Sequence, residues 1–229
     1  MNEFLHNDNV RFYIILSACI VFIYIPYIGK YVRLISTMIH EGGHVLMGLL
    51  LGEKTVKVNL FSDASGEASI TISNKFKKLL IALSGYPITA LMALCSFWLL
   101  SKGYNYYYVI GVLILTSLFL VFYIRNLFGV IWAISFVIGN GLLLYYQKVN
   151  IVEILATAYA CIIFLESVFS CFILVYVSFT SSKTLSDASN ISSVIHLPKQ
   201  LIALFFTFFN VYIAYLSVMN FFPDITKNI

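Results

Sequence analysis

Apolar residues fall in long unbroken runs along this chain, and polar residues only punctuate them. Seven runs can be read: Phe12 to Ile28, Tyr31 to Leu51, Leu79 to Leu100, Tyr104 to Ile124, Leu127 to Tyr146, Ile151 to Phe179 and Leu201 to Phe222. A helix needs roughly 20 apolar residues to cross a bilayer, so each run is long enough to span. The pattern predicts an all-α membrane bundle of about six to seven transmembrane helices in a single domain over residues 1–229. The first run is read as a retained span, because no small-residue cleavage site follows it and Pro26 and Lys30 lead directly into the second.

Two polar stretches interrupt this rhythm. Between Glu53 and Lys78, Val56 to Leu60 and Ala68 to Ile72 alternate with period two around Ser62-Asp63-Ala64-Ser65-Gly66. That alternation about a turn sequence predicts a small β-hairpin after the second helix. From Thr180 to Lys199, the segment Ser186-Asp187-Ala188-Ser189-Asn190 ahead of Pro198 predicts a connection carrying a short capped helix. The pair Arg125-Asn126 breaks two apolar runs, as a turn at the surface or as a polar interruption inside the bundle.

Composition sharpens the class. Hydrophobic residues make up 61% of the chain and charged residues 10%, against about 25% charged in soluble domains. Too few polar side chains exist to cover a water-soluble globule, which excludes a soluble enzyme, a secreted disulfide scaffold and a disordered tail. All four cysteines (Cys19, Cys95, Cys161, Cys171) lie in apolar runs and read as small hydrophobes. The net charge of +4 reads as a topology signal, with no nucleic-acid partner expected. If the runs alternate across the bilayer, nine Lys and Arg share the side of Arg11, Lys54, Lys57, Lys75, Lys77, Lys78, Arg125, Lys183 and Lys199, against five on the other. The excess predicts a cytoplasmic N-terminus and an external C-terminus.

The candidate chemistry sits in the second run. His40-Glu41-Gly42-Gly43-His44 is a His-Glu-x-x-His pattern, and residues four apart share one helix face. The two imidazoles can therefore grip one Zn²⁺, while Glu41 can take a proton from water. With four His and six Glu in the chain, the chance of one such pattern is on the order of one in a thousand. Ionisable residues inside a membrane helix are costly unless they have partners and a task. Ser36 and Thr37, one turn earlier, could line a path for water. The aromatic clusters at Tyr104 to Tyr108, Tyr145-Tyr146 and Phe205 to Phe209 read as interfacial belts and lipid-facing packing.

Together with the loop that follows, the opening Ala82-Leu83-Ser84-Gly85-Tyr86-Pro87 of the next span, Arg125-Asn126-Leu127-Phe128-Gly129, Ser186-Asp187-Ala188 and Leu197-Pro198, this pattern resembles the site-2 protease class of intramembrane zinc metallopeptidases. The resemblance is to its compact prokaryotic branch without a PDZ domain, and covers roughly Ile35 to Pro198. It implies zinc-dependent hydrolysis of membrane-embedded or membrane-proximal peptides, as in regulated intramembrane proteolysis, by a multi-pass protein of a prokaryotic plasma membrane. It also implies His40 and His44 as metal ligands and Glu41 as general base.

The chain departs from that class in one respect. The Asp-Gly segment that commonly brings the third ligand is not present, so three candidates stay open: Asp187, Glu166 and Asn126. Glu166 is an acid in the middle of an apolar run, Asp187 lies in the second polar connection where an Asp also suits a helix cap, and Asn126 offers a weaker amide donor. His196 reads as a surface residue, and His6 lies in the N-terminal tail. The sequence also admits two further readings: an inactive metal-binding or interaction protein of the same fold, and a transporter with a His/Glu relay.

Overall fold

Long apolar runs with internal backbone hydrogen bonds give helices, and turn residues set where they stop. The computed structural model describes residues 8–54, 56–146, 149–181 and 185–223. Along the chain come α1 (Asp8–Phe22), α2 (Ile28–Leu50), β1 (Val56–Leu60), β2 (Gly66–Ile70), α3 (Lys75–Ser101), α4 (Asn105–Phe122), α5 (Leu127–Tyr145), α6 (Val149–Thr180), α7 (Asp187–Ile195) and α8 (Lys199–Phe221). Five of these helices, α3, α4, α5, α6 and α8, are long and apolar enough to cross a membrane. Large exposed apolar side chains such as Tyr176, Phe179, Phe205 and Phe208 cover their outer faces, as lipid contact requires. The chain is thus an all-α membrane bundle with a small hairpin after its second helix. His6 lies outside the described residues.

Both polar stretches take the local form their sequence predicts. In the hairpin turn, Asp63 Oδ1 accepts the Ser65 N–H at 2.9 Å and the Ser65 O–H at 2.6 Å, an Asx-type closure. The α7 helix starts at Ser186, which exchanges a reciprocal capping box with Ser189. Ser186 is therefore the cap, and Asp187, the first helical residue, is released for other contacts. His196 ends α7 in the left-handed conformation and is exposed.

The hairpin does not hang outside the bundle. It folds back along α2: Thr37 donates to the Ala64 carbonyl at 2.7 Å, and Ile70 packs against Gly48. Its far edge is also paired. Val58 N–H donates to Tyr123 O at 2.9 Å, and Arg125 N–H to Val58 O at 3.1 Å. The Asn126 amide then bonds both the N–H and the C=O of Leu60. The Arg125-Asn126 break is thus a turn that acts as a third strand beside β1, and Asn126 is occupied with backbone. At the base of the hairpin, the Glu53 carboxylate accepts from Ser73 N–H and O–H at 3.2 and 2.8 Å and faces Lys77 at 3.1 Å. Those bonds from Ser73, with Lys77 beside it, hold the Glu53 carboxyl below its ordinary range.

Topology differs from simple alternation. Arg11 pairs with Glu153 at 2.8 Å, and Tyr24 packs on Phe169, so α1 runs in the same direction as α6. Arg33 pairs with Glu166, and His40 shares a cavity wall with Ser170, so α2 runs that way too. The two helices are joined in series through Ile23 to Tyr27, not folded back to back. Tyr13 O–H donates to the Pro223 carbonyl at 2.8 Å, placing the start of α1 and the end of α8 at one end of the bundle. Strict alternation of the runs would put the start of α1 and the end of α8 on opposite sides, and this contact puts them on the same one. Length and hydropathy of consecutive runs do not encode whether the chain reverses between them.

Because Asn126 substitutes for a strand partner, Asn126→Ala should destabilise the protein by about 1–3 kcal/mol, leaving the Leu60 backbone groups unpaired. Thermal unfolding in detergent checks this; an unchanged midpoint would show that the amide does not hold β1.

Candidate metal centre

The helical spacing of α2 stacks His40 over His44 on one face, and the fold carries Asp187 to the same point. His40 Nε2 and His44 Nε2 lie 3.3 Å apart, and Asp187 Oδ2 stands 3.2 Å from each. These three residues are a group that could hold a metal ion. Four-coordinate zinc with bonds near 2.0–2.1 Å requires ligand atoms about 3.3 Å apart, and all three edges match it. The donor chemistry agrees, with two imidazole nitrogens and one carboxylate oxygen.

Neighbouring groups set how these donors point. Ile81 O lies 2.7 Å from His44 Nδ1 and accepts its N–H, which turns Nε2 toward the centre. Tyr86 packs edge-on against the His40 ring at 4.6 Å. Burial would raise the Asp187 carboxyl, but the facing His44 and His40 rings outweigh it and hold the group well below the ordinary aspartate range.

Two close approaches require glycine. A Cβ on Gly43 would meet Ser84 O at 2.9 Å, and one on Gly85 would stand 2.7 Å from His40 Cε1 and from His44 Nε2. The α2 and α3 backbones thus touch at the centre. Gly66, at the start of β2, closes over the next residue: a Cβ there would lie 2.9 Å from Glu41 Cγ. Glu41 is buried beneath it and faces the Ala68 backbone N–H. Beyond the three donors opens a cavity of about 850 Å³, bounded by β2, α6 and α7 and reached by Glu41, His40, His44 and Asp187.

The three candidates for a third donor separate cleanly in space. Asp187 converges with the imidazoles. Glu166 does not; its Oε1 is 2.9 Å from Arg33 Nε. Asn126 is held on β1 by Leu60. Of the two waterside candidates one turn before His40, Ser36 and Thr37 both line a second, smaller cavity beside Glu41. Arg33, Tyr86 and the Ile81 carbonyl are neighbours that motif reading missed. Arg33 alone had a signal available, since it precedes His40 by two helical turns on the same face.

A family model described as Peptidase M50B-like matches residues 13–217. Comparison with curated proteins and with solved structures returns no match.

A divalent ion held here should bind at one per chain and be lost in His40→Ala, His44→Ala and Asp187→Ala, while Glu166→Ala and Asn126→Ala retain it. Elemental analysis of the purified protein decides, and retention in Asp187→Ala would remove it from the centre. Gly85→Ala should also lose metal, because its Cβ strikes both rings. Gly139→Ala, where a Cβ meets nothing within 4 Å, should retain it.

Proposed function

The chain belongs to the Peptidase M50B-like family, and we propose that it is an intramembrane zinc metalloendopeptidase acting on membrane-embedded or membrane-proximal peptides. The observation that carries the reading is the near-equilateral set of His40, His44 and Asp187 atoms, spaced 3.2–3.3 Å, beside a buried carboxylate and a large cavity. His40, His44 and Asp187 would hold the ion. Bound zinc would supply a water of lowered pKa and a Lewis acid for the scissile carbonyl.

The remaining steps belong to the chain's own groups. Glu41, next to His40 and facing the cavity, takes the proton of the attacking water and delivers it to the leaving amine nitrogen. The second element is β2. Val58 directs its N–H and C=O away from β2, so its partner Ala68 directs its own pair outward, and Gly66 and Ile70 follow by alternation. Among the described residues β2 pairs with no strand but β1, so those outward groups lie along the cavity, with the Ala68 N–H against Glu41. An unwound substrate segment adding antiparallel to this edge would lie extended past Glu41 and the donors, as peptide hydrolysis needs.

Localisation follows the same reading. The end of the bundle where α3, α5 and α8 begin carries Lys54, Lys75, Lys77, Lys78, Arg125 and Lys199, and is proposed to face the cytoplasm of a prokaryotic cell. The start of α1 then lies on the opposite side of the plasma membrane.

Glu41→Gln should keep one zinc per chain yet lower cleavage of a reconstituted membrane peptide by about 10²–10⁴-fold. Mass spectrometry of products with metal analysis of the same sample reads both; cleavage at the wild-type rate would exclude Glu41 as the base.

A further inference from the structure

Beside Glu41, on the side toward the start of α2, lies a cavity of about 170 Å³. It shares His40, Glu41, Ser65, Gly66, Tyr86 and Ser170 with the large cavity, so the two are neighbouring arms that adjoin around His40 and Glu41. The arms differ in chemistry. The large one is walled in part by Ile70, Ile72, Ile173, Leu174 and Val177. The small one ends at the ion pair of Arg33 and Glu166, 2.9 Å apart.

That pair is asymmetric. The Arg33 side chain is 28% exposed and Glu166 8%, so the guanidinium is the more open partner of a pair that lines the cavity together. A buried ion pair by itself is weak evidence for stability, and guanidinium is the side chain suited to bidentate carboxylate recognition. Arg33 precedes His40 by seven residues, about 10 Å along the helix axis. An extended peptide covers that distance in about three residues. A segment antiparallel to β2 runs from Ile70 toward Gly66 and then past the hairpin tip, so its C-terminal part is the part that reaches Arg33.

We propose that Arg33, backed by Glu166, is a specificity-determining residue that receives a peptide carboxylate about three residues C-terminal to the scissile bond. This rests on the peptidase reading for its register. The two arms then take an apolar segment on one side of the cleaved bond and an acidic residue on the other, as at the end of a membrane span.

Binding tests it independently of turnover. The Glu41→Gln protein, zinc-loaded and reconstituted in neutral phosphatidylcholine vesicles, is titrated with fluorescent C-amidated peptides that carry an apolar segment followed by Glu, Gln or Lys. A fourth peptide has Gln and a free C-terminal carboxylate in place of the Glu side chain. The Glu peptide should bind about tenfold more tightly than the Gln peptide, with Lys weaker still, from one charge-assisted contact. Tight binding of the fourth peptide instead would assign the carboxylate to a chain terminus. Added to Glu41→Gln, Arg33→Gln should erase the preference and Arg33→Lys should keep part of it, with zinc content unchanged in both. Equal affinity for Glu, Gln and free-carboxylate peptides on the Arg33 protein overturns the proposal whether or not Arg33→Gln folds, and so does a preference that survives Arg33→Gln. With wild-type protein, absence of cleavage would count against the peptidase reading alone, since the affinity ratio is read separately.

Discussion

Two imidazoles, three carboxylates and a guanidinium lie inside a bundle whose outer faces are built for lipid, and none of them is stable there without a partner. The architecture is the set of partnerships that resolves this. Asp187 meets His40 and His44, Glu166 meets Arg33, and Glu41 is closed over by the backbone of β2. Each pairing joins elements distant in sequence. Helix α2 is the common member, and its polar face of Arg33, Ser36, Thr37, His40 and His44 is the line along which β2, α3, α6 and α7 assemble.

The hairpin extends the same logic to the backbone. A strand lying against a helix within a membrane bundle would leave a row of N–H and C=O groups unpaired. One edge of β1 is satisfied by β2 and the other by Tyr123, Arg125 and the Asn126 amide. Among the described residues the outer edge of β2 has no strand partner, and it lies beside Glu41, whose carboxylate faces the Ala68 N–H.

Much of this was legible because it is local. The i, i+4 spacing of His40 and His44, the alternation of Val56 to Leu60 and Ala68 to Ile72 about a turn, and the capped start near Ser186 are all set by residues a few positions apart. The approach of Asp187 to the imidazoles is not local, since 147 positions separate it from His40. Three polar residues were chemically admissible, and only packing distinguishes them: Glu166 is claimed by Arg33 and Asn126 by Leu60. The direction of α1 is likewise non-local. It depends on Arg11 meeting Glu153 and Tyr13 meeting Pro223, contacts that hydropathy does not record.

Asp187 sits at the first residue of a nine-residue helix that belongs to the connection between α6 and α8. A cation gripped by this carboxylate and the two rings of α2 would fasten that short connection to the second helix of the bundle, in the manner of a clasp. Occupancy would then be felt as mechanical coupling between the early and late parts of the chain, and depletion of the ion would loosen the floor of the cavity before it disturbed the bundle itself.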